Sequence, residues 1–180
     1  MLRAVFCFGA RARRLRQEIA RTQEPEEFPS MTEVRRVIEK ADFIDLKSRT
    51  KGDVLRELVD VAAKRPEVTD PEEFLQAMLE RERIISTGIG IGLAMPHVKI
   101  PSVKDFVLVV GRSTQGIDFD ALDGHPVHIV AMIGASDRQS GEFLRVLAKL
   151  VLKLKDKSLR QRVLLTPEPE GVRDVLLSDE

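Results

Sequence analysis

The chain has 180 residues, is 43% hydrophobic, and carries 29 lysines and arginines against 29 aspartates and glutamates. This size and apolar content predict a single domain with one substantial core, and the balanced charge excludes a global field that would recruit nucleic acid or an anionic membrane. Because Cys7 is the single cysteine, no internal disulfide can form, and no apolar run approaches the roughly 20 residues that span a bilayer. We therefore expect a cytoplasmic protein with no direct membrane span.

The first 30 residues differ in charge from the rest of the chain. Residues 1–23 contain six arginines and one acidic residue, Glu18. The apolar run at 4–10 is short for a signal peptide and is followed at once by arginines, which argues against export. We expect residues 1–30 to be a flexible basic extension and residues 31–180 to be the domain.

Two helix starts follow in chain order. Thr50 and Asp53 have the spacing of a capping box, and the apolar residues after them share one helical face: Leu55, Leu58, Val59 and Ala62. Asp70 and Pro71 mark a second helix start, and its apolar stripe comprises Phe74, Leu75, Met78 and Leu79. The second helix is predicted to end near Arg83.

The remaining elements predict a sheet with helices packed on it. Residues 106–110 and 127–133 are rich in branched side chains and are bounded by Gly, Pro and Asp, which is typical of buried strands. A helix is predicted over 141–154, with Leu144, Leu147, Val151 and Leu154 on its buried face, and a short terminal helix within 164–177. The predicted class is α/β, a mixed β-sheet flanked by helices in a single domain.

The stretch from Ser86 to His97 carries the strongest chemical signal. Gly88, Gly90 and Gly92 would let backbone amides approach a bound anion, and Pro96 restricts the backbone just before the imidazole. The Gly-x-Gly-x-Gly spacing matches neither a dinucleotide site nor a P-loop. The reactive candidate is therefore the neutral imidazole of His97, and the alternative is a histidine that simply follows a surface turn.

Two ordered motifs carry a family resemblance. The segment Arg81-Glu-Arg-Ile-Ile-Ser-Thr-Gly-Ile-Gly, followed by Met-Pro-His97, resembles the fructose/mannitol type of enzyme IIA from the bacterial sugar phosphotransferase system. The segments 116–124 and 126–130 resemble the second signature of that family. The resemblance covers roughly residues 32–178 and implies the mannitol-type enzyme IIA α/β sandwich.

The resemblance implies a phosphohistidine carrier in sugar transport. The imidazole would take a phosphoryl group from the phosphocarrier HPr and pass it to a IIB domain, with a IIC permease subunit in the membrane. His97 matches the phosphorylated histidine of the family, and Arg81 matches its arginine, whose guanidinium would neutralise the phosphate. Thr87 and the amides of Gly88, Gly90 and Gly92 would bind the phosphate. Without the resemblance, Arg81 would be interpreted as a solvated charge at a helix end.

One position departs from the family. Many relatives have a second histidine where this chain has Phe143, and a phenyl ring cannot donate a hydrogen bond to phosphate. His128, in a predicted strand, is a possible replacement beside His97. The departure leaves open an alternative, a regulatory module of the nitrogen type that controls another protein according to its phosphorylation state.

The three histidines also raise the question of a zinc site and of a zinc-dependent hydrolase. In a strand over 127–133, the side chains at 125 and 128 would point to opposite faces, which makes joint chelation awkward. We therefore expect no metal and no cofactor. The expected partners are an HPr-like phosphocarrier and either permease subunits or a regulated protein, and the sugar is not identified by this sequence.

Overall fold

Helices and strands alternate along the residues that the computed structural model describes, which are 31–178. The predicted basic extension at 1–30 lies outside the described residues. The helices are α1 (Met31–Glu39), α2 (Lys51–Ala62), α3 (Pro71–Ile84), α4 (Ser140–Leu154), α5 (Lys157–Leu165) and α6 (Val172–Leu177). The strands are β1 (Asp42–Asp45), β2 (Gly88–Gly90), β3 (Leu93–Ala94), β4 (His97–Lys99), β5 (Val107–Ile117) and β6 (Val127–Ala135).

Both predicted helix starts are confirmed. The Thr50 hydroxyl accepts a hydrogen bond from the Asp53 amide at 3.2 Å, which caps α2. The Asp70 carboxylate accepts from the Glu73 amide at 3.0 Å, and Pro71 is the first residue of α3. These caps satisfy amides that have no partner inside the helix.

The sheet is mixed, and β6 is at its centre. On one side β6 pairs antiparallel with β5, which pairs in turn with the parallel strand β1. On its other side β6 pairs parallel with β3 and β4. Leu93 lies opposite Ile129 and His97 lies opposite Ile133, so the register is the same across the interruption between β3 and β4.

Helices cover both faces of this sheet, and each face has its own core. Alternate residues of β5 and β6 point to opposite faces, as strand geometry requires. One face packs against α1, α4, α5 and α6, and the other packs against α2 and α3. The predicted α/β class, a mixed sheet flanked by helices, is confirmed.

Three details differ from the sequence-based prediction. Strand β5 continues to Ile117 because its pairing with β6, interrupted after Arg112, resumes where Ile117 lies opposite Val127. The glycine run is not a plain loop, since β2 and β3 form a short antiparallel pair within it. The prediction for α4 was wrong by one position, because its buried residues are Phe143, Val146, Leu150 and Leu154, whereas Leu144 is 63% exposed.

The error in α4 has a physical origin. This helix is apolar around much of its circumference, so two overlapping stripes have helical spacing. The sheet buries the stripe that contains Phe143, and Leu147 and Val151 of the other stripe are only partly buried.

None of the helices within 31–178 has the length and apolar character that a membrane crossing requires.

Candidate functional site

His97 begins β4 immediately after a buried proline. Pro96 has no amide hydrogen, so it cannot donate to a neighbouring strand, but its carbonyl accepts from the Ile133 amide at 2.9 Å. The next strand outward, β2, begins at Gly88. Just before it, the Thr87 carbonyl accepts a hydrogen bond from the Met95 amide at 3.0 Å. Beyond it, α3 packs beside β4. Beside His97, therefore, the neighbour of the sheet's outer edge is helix α3 rather than strand β2.

The hydrogen bonds of the imidazole fix its tautomer. His97 Nδ1 lies 2.7 Å from the Met95 carbonyl oxygen, which can only accept, so Nδ1 carries the hydrogen. In the neutral ring Nε2 then has an unshared lone pair. The Arg81 Nη2 atom lies 3.4 Å from Nε2. A nucleophilic nitrogen therefore lies directly beside a guanidinium.

The surroundings favour the neutral form of this ring. Burial lowers the pKa of His97, and the charge of Arg81 lowers it further, whereas the Met95 hydrogen bond and the more distant Glu82 charge act in the opposite direction. The net effect is a pKa below the ordinary histidine value. At neutral pH the imidazole is consequently a base and a nucleophile.

Arg81 is held in place by the last turn of α3. Its Nη1 donates to the Ile85 carbonyl at 3.1 Å, directly after the helix ends at Ile84. This bond holds the guanidinium at the C-terminal end of the helix, where its Nη2 lies beside His97. The sequence-based choice of Arg81 over Arg83 agrees with this geometry, since Arg83 is exposed.

Thr87 has a different role from the one that the resemblance implied. Its amide donates to the buried carboxylate of Glu82 at 3.1 Å, and its hydroxyl donates to the same carboxylate at 2.6 Å. Lys51 Nζ lies 3.4 Å from Glu82 on the other side. Both donors of Thr87 are engaged by a carboxylate, which does not favour the predicted phosphate binding by Thr87. Thr87 instead ties the chain to the end of α3.

Two amides of the glycine hairpin donate to side chains of the protein itself. Gly88 donates its amide to the Ser86 hydroxyl at 3.2 Å, and the Ile91 amide donates to the Asp123 carboxylate at 2.7 Å. Gly90 and Gly92 have φ values of +85° and +77°, which the tight turn requires. A carboxylate at this turn repels a phosphate. The prediction for the amides of Gly88, Gly90 and Gly92 is therefore not supported, and none of the three lines the groove around His97.

His128 also lies away from His97. His97 pairs with Ile133 of β6, and His128 lies five residues before Ile133. That separation corresponds to about 16 Å along β6. The Nδ1 of His128 donates to the Ser113 carbonyl at 2.8 Å. This placement does not favour the predicted supporting role of His128 beside His97. The other histidine, His125, is exposed in the turn at 122–125. Across residues 31–178, no three His, Cys, Asp or Glu side chains form a group suited to a metal ion.

A groove of about 460 Å³ opens beside His97. The Phe143 ring forms part of its wall, with its centroid 6.0 Å from that of the His97 ring and the two planes tilted by 49°. Two apolar side chains at its rim are strongly exposed, Ile84 at 80% and Leu144 at 63%. Lys99 also lines the groove, and the sequence analysis did not select it. Its alternation with His97 along β4 was the available signal.

A family model and a curated relative match most of this chain. Residues 38–178 match the family model described as "Phosphoenolpyruvate-dependent sugar phosphotransferase system, EIIA 2". The chain is 34% identical over 133 residues to the fructose-specific EIIABC component of Bacillus subtilis. That match covers 74% of this chain and 21% of the relative, so this chain spans about a fifth of that protein.

Solved structures share the fold. The nitrogen regulatory protein IIA-Ntr from Neisseria meningitidis superposes with a TM-score of 0.71 at 26% identity, over 79% of this chain and 98% of that one. The complex of enzyme IIA and phosphorylated enzyme IIB of the mannitol system from Escherichia coli matches with a TM-score of 0.65 at 25% identity. That match covers 77% of this chain and 95% of the solved one.

Proposed function

We propose, since this chain belongs to the EIIA 2 family of the phosphoenolpyruvate-dependent sugar phosphotransferase system, that it is a phosphoryl carrier whose carrier atom is Nε2 of His97. The donor is an HPr-like phosphocarrier protein with a phosphorylated histidine. The acceptor is a IIB domain, which serves a IIC permease subunit. Transfer takes place in the cytoplasm.

The transfer step is an in-line exchange between two nitrogen atoms. The lone pair of His97 Nε2 attacks the phosphorus of the donor phosphohistidine, an Nε2–P bond forms, and the donor N–P bond breaks with its electron pair returning to the donor imidazole. His97 Nδ1 keeps its hydrogen, which stays directed at the Met95 carbonyl. In the second transfer His97 is the donor and IIB is the acceptor, and the Nε2–P bond breaks with its electron pair returning to the His97 ring. No oxidant, metal or cofactor takes part.

The observation that carries the proposal is the pair of contacts on the two ring nitrogens. Met95 holds the hydrogen on Nδ1, and Arg81 lies 3.4 Å from Nε2, where the phosphoryl group would be attached. Phosphoryl transfer depends mainly on positioning and on neutralising charge at the equatorial oxygens. A guanidinium beside the attacking nitrogen supplies this neutralisation without having to move far.

The rim of the groove supports protein partners rather than a small substrate. Ile84 and Leu144 are exposed apolar side chains on opposite walls, contributed by α3 and α4. Apolar contacts ringing a reactive group are typical of the core of a protein interface. The similarity to an enzyme IIA solved in complex with phosphorylated enzyme IIB supports IIB as an acceptor.

A regulatory role is the second candidate. The similarity to the nitrogen regulatory protein IIA-Ntr favours it, and so does the absence of an imidazole at Phe143 beside the proposed carrier. Affinity capture with the phosphorylated and unphosphorylated chain separates the two roles. A permease subunit that binds the phosphorylated form indicates transport, and a kinase or transcription regulator that binds one form indicates regulation.

Reconstitution of the phosphorylation chain tests the carrier role. With phosphoenolpyruvate, enzyme I and HPr, the intact protein should gain one acid-labile phosphate by mass spectrometry. His97→Ala should abolish the gain, whereas the matched variant His128→Ala should retain it, because His128 lies at the other end of the sheet segment. A phosphate that persists in His97→Ala contradicts the proposal.

A further inference from the structure

Lys99 lies on the same side of β4 as His97. Side chains two residues apart on a strand point in the same direction, and here they are separated by about 7 Å along the strand. Both side chains line the groove described above. A lysine side chain has enough length to bring its ammonium group to a substituent on the His97 ring.

The ammonium group of Lys99 has a defined resting position. Its Nζ donates to the Ser140 hydroxyl at 2.8 Å and lies 5.8 Å from the centroid of the Phe143 ring. The same Phe143 ring is in contact with His97. Lys99 and His97 thus both contact the Phe143 ring, and both line the same groove.

Charge balance at the groove favours an anion. Its charged lining residues are Arg81, Lys99 and Glu80. Among the residues from 31 to 178, the ion pairs of the carboxylates do not include Lys99 or Arg81. Two unpaired cations and one carboxylate give a net positive groove around Nε2 of His97. A phosphoryl group, with nearly two negative charges, complements it.

We propose that Lys99 is the second cation that contacts the phosphoryl group on His97, opposite Arg81, and that its ammonium moves from Ser140 to a phosphoryl oxygen when the group arrives. This inference rests on the proposed function. The flexible four-carbon stem allows the movement, whereas the planar Arg81 guanidinium is already in place. Phe143 contributes an apolar wall that Lys99 approaches and that donates nothing to the phosphate.

The test uses two donors for the same site. Phosphoramidate, a small chemical donor, removes any contribution of Lys99 to protein docking, and phosphorylated HPr measures the complete transfer. The variants are Lys99→Met, the charge-conserving Lys99→Arg, and Lys155→Met, which removes an exposed lysine just after the opposite end of α4. Thermal unfolding of each variant reports any structural damage.

We expect Lys99→Met to accept the phosphoryl group about threefold to tenfold more slowly from phosphorylated HPr, as for loss of one exposed charge-assisted contact. In ³¹P NMR of the phosphoramidate-labelled protein, the second ionisation of the phosphoryl group should move upward by about half a pH unit. A lost structural contact would not cause that second change. Lys99→Arg should recover part of both effects because it keeps the positive charge, and Lys155→Met should behave like the unchanged protein.

The outcomes separate the two proposals. If His97 is labelled in the unchanged protein but Lys99→Met shows the same rate and the same phosphoryl ionisation, the Lys99 inference is wrong and the carrier proposal stands. If only the rate from HPr changes, Lys99 acts in docking and the inference is again wrong. If neither donor labels His97 in the unchanged protein, the proposed function fails and the inference fails with it.

Discussion

A histidine lies beside each end of the segment from 87 to 99, His97 at one end and His128 of β6 at the other, and both have the same tautomer. At the proline end, His97 Nδ1 donates to the Met95 carbonyl at 2.7 Å. At the glycine end, His128 Nδ1 donates to the Ser113 carbonyl at 2.8 Å, on the strand that the hairpin pairs with. Yet the two ends have opposite electrostatic surroundings. The proline end has a guanidinium at Nε2, and the glycine end has the Asp123 carboxylate at its turn.

The difference shows what distinguishes a carrier histidine from a structural one. Both histidines have a fixed tautomer, so a fixed tautomer alone does not make a histidine a phosphoryl carrier. The ring of His128 packs on the backbone of Gly116, where an added side chain would come within 3.2 Å of Nε2. His97 has its Nε2 facing a cation and an open groove. Access and a nearby positive charge are the distinguishing features.

Removing the cation should have the largest effect on the proline end. Arg81→Met should slow phosphoryl acceptance by about 10- to 100-fold, the range for loss of a hydrogen bond between charged groups. The measurement is the initial rate of labelling from phosphorylated HPr. Arg83→Met, an exposed arginine on the same helix turn, should leave the rate unchanged. Equal slowing by both variants would mean that the helix end acts through its overall charge.

Between the two ends, Thr87 separates stability from chemistry. Thr87→Val should lower the free energy of unfolding by about 1–2 kcal/mol because the buried Glu82 carboxylate loses a donor. Urea unfolding measures this change. Thr69→Val, which removes an exposed hydroxyl that donates to a carbonyl, should cost less than about 0.5 kcal/mol. Slower labelling of Thr87→Val with no loss of stability would instead support Thr87 as a phosphate ligand.

At the glycine end, the backbone of Ile91 is strained. Its φ is +55°, a conformation that β-branched residues rarely adopt, and its side chain is 46% exposed. Ile91→Asn should raise the free energy of unfolding by about 1 kcal/mol, since asparagine tolerates this backbone and little burial is lost. Leu122→Asn, an exposed neighbour outside the positive-φ residues, should change stability little. An unchanged or lower stability for Ile91→Asn would contradict the strain.

The pH dependence of His97 should show the smallest effect. Acceptance should fall as pH is lowered through the depressed pKa of His97, because the protonated ring has no lone pair. As pH falls, the imidazole of the unfolded chain takes up its proton at about pH 6.5, before that of the folded chain. The contribution of His97 to the free energy of unfolding is therefore complete above that pH and declines as pH falls toward the folded pKa. NMR titration measures it, and Arg81→Met should raise the pKa of His97. A pKa of His97 above the ordinary histidine value would contradict this prediction, because stability from this group would then rise as pH falls.

Local signals in the sequence were sufficient where the structure depends on local contacts. The capping residues Thr50 and Asp70 and the apolar stripe of α2 need only neighbours within a few positions, and they were predicted correctly. The mixed sheet also followed from the apolar runs that became β5 and β6. By contrast, β1 has four residues and depends on its pairing with β5. It gave no distinctive pattern of its own.

The site was predicted less completely because its polar contacts depend on burial and on segments that meet only in the folded chain. His97 and Arg81 were selected through the resemblance, and the structure places them side by side. The contact of Thr87 with Glu82 was not foreseen, because Glu82 is a charged residue within a helix that the sequence gives no reason to bury. The contact of the Ile91 amide was not foreseen either, because its acceptor Asp123 lies 32 residues away. Such contacts become visible only when the sheet brings the segments together.

The most direct test of the account identifies the phosphorylated atom. After labelling by phosphorylated HPr, NMR of the protein with ¹⁵N-labelled histidine should show phosphorus coupled to Nε2 of His97, with Nδ1 still carrying its hydrogen. That result follows from the Met95 bond to Nδ1 and the position of Arg81. Phosphorus on Nδ1 of His97, or on either of the other two histidines, would contradict the central claim.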